Sequence, residues 1–264
     1  MGTNNDCIVP GAIPPMPPNI INAYKAGKLI IFVGAGMSRL MNLPGWDQLA
    51  ENLINIAYPN YKEQYLIKNQ IHSPKERISI AYEKCKCENR LKEYYDAFEK
   101  AMAPTPNNGN KPNVYQVLSQ FYAAFLTTNA DGMLRATFTP GCEIPIENIT
   151  NLSTDDLSQT LWGHIVYLHG RYEPGKSFAE YERDLVFTAS QYASKYNRPE
   201  FVQFLSKIFS IPDVVILFLG YGLNEYELID YLITKTEGSD KCFKYILEGF
   251  YSGQEVVCHA RSHY

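Results

Sequence analysis

The sequence predicts an α/β fold: a doubly wound, Rossmann-like parallel sheet that carries a helical insertion as a smaller second subdomain. Three observations predict it. Residues 29–33 (Leu-Ile-Ile-Phe-Val) form a continuous apolar run that ends directly in Gly34-Ala35-Gly36-Met37-Ser38. A strand buried on both faces and followed by a tight turn into a helix has this form. Similar runs recur at 123–127, 165–168, 214–219 and 243–247, with helical patterns between them. Strands that alternate with helices argue for a parallel sheet with crossover connections. Third, the composition of 60–109 shifts to Lys, Glu and Tyr with helical periodicity.

Taken in order, residues 8–18 carry five prolines and predict an extended lead-in. A short helix is expected at 20–28, closed by Gly27. Trp46, Leu49, Leu53, Ile56 and Ala57 have helical spacing and predict a helix over 46–58. The insertion that follows is broken by Pro104-Thr105-Pro106-Asn107-Asn108-Gly109-Asn110. The expected division is therefore a core of residues 1–59 and 110–264 and a helical subdomain of 60–109. Further helices are expected over 189–209 and 223–234. Leu185-Val186-Phe187 reads as one more strand-like run.

Composition excludes several classes. With 24 Lys and Arg against 28 Asp and Glu, the 264-residue chain has a net charge of −4 and lacks the basic footprint of non-specific nucleic-acid binding. Hydrophobic residues at 45% and charged residues at 20% describe a folded globule rather than a disordered chain. The six cysteines (7, 85, 87, 142, 242 and 258) include no CxxC pair, and Cys85-Lys86-Cys87 has no second pair or histidine beside it. They read as ordinary thiols, and no zinc is expected. Residues 1–18 have neither a positive n-region nor an apolar h-region, Asp6 stands where a myristoylation signal wants Ser or Thr, and 214–219 is far short of a bilayer span. The expectation is a cytoplasmic protein without membrane contact.

In doubly wound sheets ligands sit outside the carboxyl ends of the strands, so the post-strand sequences matter most. They are Gly34-Ala35-Gly36-Met37-Ser38, Thr128-Asn129-Ala130-Asp131-Gly132, His169 to Ser177, and Gly220 to Leu228. Each has Gly or a small polar residue where a helix would start and backbone N–H groups would approach a phosphate. Gly34-Ala35-Gly36 is a GxG without the third glycine of the full dinucleotide fingerprint. Gly170 to Ser177 matches the P-loop pattern GxxxxGK[ST] and would predict ATP binding through Lys176. Against that, no later strand ends in a metal-binding Asp, and a strand-like run rather than a long helix follows soon after. Asn129 and Asp131 offer amide and carboxylate groups for sugar hydroxyls or a carboxamide. His169 offers an imidazole near a predicted strand end, and either residue alone is equally an ordinary turn or core residue.

Together, Gly34-Ala35-Gly36-Met37-Ser38, Thr127-Thr128-Asn129-Ala130-Asp131, Leu168-His169-Gly170 and Phe218 to Asn224 resemble the sirtuins in motif order and placement, across roughly residues 25–250. Leu43-Pro44-Gly45-Trp46 and Leu185 to Tyr192 are similar to the zinc-less, NAD-hydrolysing sirtuin-like domains of bacterial anti-phage defence. The resemblance also accounts for Gly170 as half of an HG pair. It implies NAD as substrate, with Gly34, Ala35, Gly36 and Ser38 around the diphosphate. Asn129 would hold the nicotinamide ribose and orient water, and Asp131 would bond the carboxamide. His169 would accept a proton from a ribose hydroxyl or the water, and Gly220, Gly222 and Asn224 would line the adenosine side.

The chain departs from the deacetylases of the family. No cysteine lies between Gly170 and Cys242, where they carry two CxxC pairs, and Pro44-Gly45-Trp46-Asp47 replaces their PDFR segment. The expected reaction is therefore hydrolysis of NAD to nicotinamide and ADP-ribose. A non-catalytic NAD or ADP-ribose sensor is the alternative from another class, and a protein deacylase a third. With little chain beyond the last strand for a sensor, control is expected from a homo-oligomer or an activating partner, with no direct role for nucleic acid.

Overall fold

The structure, a computed structural model, describes residues 15–71, 73–103, 113–139, 141–173, 175–222, 228 and 243–247. Its strands are β1 (Leu29–Val33), β2 (Ala124–Thr127), β3 (Ile165–Tyr167), β4 (Val215–Leu219) and β5 (Phe243–Leu247). They form one sheet in the order β3-β2-β1-β4-β5, and every pairing is parallel. All five residues of β1 are buried, because this strand is central and has layers on both faces. Each of the five strands expected at 29–33, 123–127, 165–168, 214–219 and 243–247 is present to within a residue at its ends. The chain runs outward from β1 to β3, then returns to start β4 on the other side of β1. The switch point between β1 and β4 is where doubly wound sheets open a crevice for ligands.

The helices are α1 (Pro18–Lys25), α2 (Ala35–Leu40), α3 (Trp46–Ala57), α4 (Tyr61–Gln70), α5 (Pro74–Cys87) and α6 (Leu91–Met102). They continue as α7 (Val114–Leu118), α8 (Met133–Ala136), α9 (Thr154–Leu161), α10 (Phe178–Asp184), α11 (Ala189–Tyr196) and α12 (Pro199–Phe209). Successive strand residues point to opposite faces, and the core divides accordingly. Phe32, Leu126, Val166 and Phe218 pack against α9, α11 and α12 on one face. Ile31, Val33, Phe125 and Tyr167 pack against α1 and α7 on the other. A third apolar cluster joins α3, α5 and α6 and takes in Tyr181, Leu185 and Phe187 from the segment after β3.

Two sequence expectations differ locally. The pattern over 189–209 is two helices, because Pro199 lacks an N–H and disfavours helical backbone at Arg198; it starts α12 as its first residue instead. Residues 185–187 form no strand. They are an extended link whose Val186 N–H donates to the His169 carbonyl at 3.0 Å. The pattern over 223–234 lies outside the described residues apart from the buried Leu228. Among the described residues no helix is long and apolar enough to cross a membrane.

Candidate active site

At the switch point two loops press together. The Gly34 N–H donates to the Leu219 carbonyl at 2.9 Å, and the Gly36 N–H to the Gly220 carbonyl at 2.8 Å. A Cβ on Gly34 would lie 2.5 Å from the Gly220 oxygen, and one on Gly36 2.7 Å from it. Gly220 has φ of +61°, in the region that favours glycine. These glycines are thus required by loop-to-loop contact, whatever else they approach. Gly222 is exposed beside them, and Asn224 lies outside the described residues.

From this neck α2 carries Ser38 into a buried polar cluster. The Ser38 hydroxyl donates to Asp131 Oδ2 at 2.6 Å and accepts from Asn129 Nδ2 at 3.0 Å. It lies 2.8 Å from the Tyr115 hydroxyl. With its one proton given to Asp131, Ser38 has only lone pairs left, so Tyr115 is the donor and the serine is saturated. The loop after β2 is set by Thr127, whose hydroxyl donates to the Val33 carbonyl at 2.8 Å and accepts from the Asn129 N–H at 3.0 Å. Asp131 Oδ1 accepts from the Met133 N–H at 3.0 Å. Burial pushes the Asp131 carboxyl above its ordinary value, and the Ser38 and Met133 hydrogen bonds pull it partly back.

Ser38, Asn129 and Asp131 face a pocket that Ala35 also lines, walled by Trp46, Met102 and Phe187. Its volume is about 30 Å³, room for about one water. A few converging polar groups set among apolar walls are the usual make-up of a small-molecule site.

His169 stands elsewhere. Its ring is 1% exposed, with Nε2 3.0 Å from the Tyr196 hydroxyl and Nδ1 3.4 Å from the Tyr192 hydroxyl. Both tyrosines come from α11, four residues apart and so on one face. Burial, reinforced by the charges of Lys195 and Lys75, pushes the imidazole down to about 3, so the ring is neutral. It does not line the Asn129 pocket. Of the sequence-predicted residues, the structure brings Ala35, Ser38, Asn129 and Asp131 to one pocket with the glycine neck beside it, and sets His169 apart.

The P-loop pattern is dispersed by the fold. Lys176 is paired with Glu173 at 2.9 Å and Asp184 at 3.3 Å. Ser177 forms a capping box with Glu180 at the start of α10, a helix of seven residues. Gly170 has φ of +75°, and a Cβ there would lie 2.1 Å from the Asp184 carbonyl oxygen. Close backbone packing explains this glycine. Among the described residues no group of three His, Cys, Asp or Glu side chains stands where it could hold a metal ion.

Residues 123–242 match the family model of the SIR2-like domain. The match supports a sirtuin-like domain and suggests an NAD-related, enzymatic function. The SIR2-like stretch runs from just before β2 to just before β5, so it contains Asn129, Asp131, His169, Gly220, Gly222 and Asn224. No curated protein matches the chain.

Sequence reasoning missed Tyr115 as the third partner of Ser38, and Met102 and Phe187 as pocket walls. Tyr115 had no signal, since it is one of 20 tyrosines and meets Ser38 across 77 positions. The pair Tyr192 and Tyr196 was legible in principle, as i and i+4 after the capping box of Thr188 and Gln191.

Proposed function

We propose that this protein hydrolyses NAD to nicotinamide and ADP-ribose, and that it acts as an effector of bacterial anti-phage defence by depleting NAD. One observation carries the reading: the Ser38–Asn129–Asp131 cluster faces an apolar-walled pocket past the carboxyl ends of β1 and β2. The bond between the nicotinamide ring nitrogen and ribose C1′ breaks, and nicotinamide leaves with the bonding pair as a neutral molecule. Water adds to the oxocarbenium-like C1′ and releases a proton. A cationic precursor with a neutral leaving group needs little acid catalysis, so positioning and electrostatics dominate.

In this mechanism Asp131 takes the carboxamide and Asn129 holds the ribose and aims the water. Gly34, Ala35, Gly36 and Ser38 bound the diphosphate, and Gly220, Gly222 and Asn224 the adenosine side. The proton-accepting role proposed for His169 requires its ring to leave the tyrosine pair, because both ring nitrogens are engaged there. Entry of the nicotinamide ring requires Met102, Trp46 or Phe187 to move, since the pocket holds about one water. That requirement supports control by a homo-oligomer or an activating partner in the cytoplasm. We further propose the division into a core of 1–59 and 110–264 and a helical subdomain of 60–109, which supplies the Met102 wall.

The test is chromatographic detection of nicotinamide from NAD incubated with purified protein. Asn129→Ala lowers turnover on the order of 100-fold, the size of effect expected from losing one transition-state hydrogen bond. Turnover equal to the parent's in that variant overturns the assignment. The sealed His169 favours a second reading, an NAD or ADP-ribose sensor. It is identified by calorimetric NAD binding without nicotinamide release in any oligomeric state.

A further inference from the structure

A cleft of about 650 Å³ opens on the β3 side of the sheet, within the range of small-molecule sites. Three segments bound it: the 143–147 turn, the Gly170–Lys176 loop, and the stretch from α10 through α11. One wall is electrostatically self-contained. Arg171 pairs with Glu143 at 3.1 Å and with Glu173, Lys176 bridges Glu173 and Asp184, and Arg183 pairs with Asp184 at 2.7 Å. Glu182 is held by the Tyr82 hydroxyl at 2.6 Å.

The facing wall is different. Lys195, near the end of α11, and Arg198, which precedes α12, both line the cleft, and neither forms an ion pair among the described residues. The Lys195 ammonium lies 4.8 Å from the centroid of the Phe201 ring, so an apolar surface takes the place of a carboxylate. Burial lowers its proton affinity most, Glu147 across the cleft raises it, the neighbouring Arg198 charge lowers it, and Asp184 raises it. An anion between the two cations relieves both the desolvation and the repulsion. Two cations lining one cleft, one a guanidinium fork and one a point charge, suit a phosphate dianion. The cleft is far larger than a phosphate, and its other side carries Ile144, Pro145 and Ile146 flanked by the carboxylates Glu143 and Glu147.

We propose that this cleft binds a phosphate ester of about nucleotide size, with Lys195 and Arg198 taking the phosphate. Leu185 and Val186 line the cleft, and the next residue, Phe187, walls the Asn129 pocket. Occupancy of the cleft thus bears on the link that shapes that pocket; this last step rests on the proposed NAD reading, whereas binding itself does not.

The test is calorimetric titration of the full chain with adenosine 5′-monophosphate, ribose 5-phosphate and inorganic phosphate. The parent binds at least one of the two esters, and more tightly than inorganic phosphate. Arg198→Gln, at an exposed position, weakens that binding about tenfold or more, as does Lys195→Gln, while Asn129→Ala leaves it unchanged. The proposal is overturned if neither ester binds, if inorganic phosphate binds as tightly, or if both glutamine variants bind like the parent. Loss of NAD turnover in Asn129→Ala does not enter this titration, so the two readings fail separately.

Discussion

Two buried polar clusters end adjacent strands of this sheet. At the end of β2, Asn129 and Asp131 converge on Ser38 and still face a pocket. Past the end of β3, His169 is held between Tyr192 and Tyr196 and faces none of that pocket. Both are built from residues that resemble catalytic motifs. Chemistry requires access as well as identity, and access is set by what the following segment does. After β2 the chain turns at once through the Asx turn of Asp131 and leaves the cluster open to α3 and α6. After β3 it passes through Gly170, whose left-handed backbone lets the link of residues 185–187 return and α11 lay two rings over the imidazole.

The largest effect that separates the clusters is on stability. His169→Ala removes a buried ring and leaves two tyrosine hydroxyls without it, and is expected to cost about 3 kcal/mol, read as a fall in the denaturant midpoint. Asn129→Ala, beside a pocket that admits water, is expected to cost about 1 kcal/mol while abolishing most turnover. If Asn129→Ala proves the more destabilising of the two, the distinction between an open and a sealed cluster fails.

Next comes Ser38→Ala, which removes the group shared by Asp131, Asn129 and Tyr115. A loss of about 2 kcal/mol is expected, because buried polar groups lose a partner in one step. A change below about 0.5 kcal/mol means that water already serves these groups and that the cluster is less enclosed than its geometry implies.

The last distinction is the pH dependence, where the clusters have opposite signs. His169 has an ordinary value of 6.5 and a folded value of about 3. Between them the unfolded chain binds more protons, so the contribution from neutral His169 is complete above pH 6.5 and falls by about 1.4 kcal/mol per unit as the pH drops toward 3. Asp131 is raised above its ordinary 3.8, so its folded form holds the proton longer. Its contribution is present below 3.8 and is lost as the pH rises through the folded value. Denaturant titrations of the parent and His169→Gln between pH 6.5 and 4.5 isolate the first term. Parallel curves for the two proteins remove the sealed-histidine account.

Much of the fold was legible. The five apolar runs are the five strands, since a strand buried on both faces leaves little choice of residue, and the Lys, Glu and Tyr stretch contains α4, α5 and α6. The Asn129 pocket was legible in part, because Ser38, Asn129 and Asp131 lie just past strand ends where parallel topology gathers them. Tyr115 was not, because a partner from a distant short helix leaves no local pattern. The match of Gly170 to Ser177 to a P-loop illustrates the reverse case. Its letters fit, but Lys176 is spent on two carboxylates and Ser177 on a helix cap.

The sequence by itself determined the α/β class, the strands and the polar residues at their ends, because periodicity and glycine placement are local and read directly from the chain. Only the tertiary structure decided which strand end is open and which is sealed. That depends on where α3, α6, α11 and the 185–187 link pack, and packing joins residues that no spacing in the sequence connects.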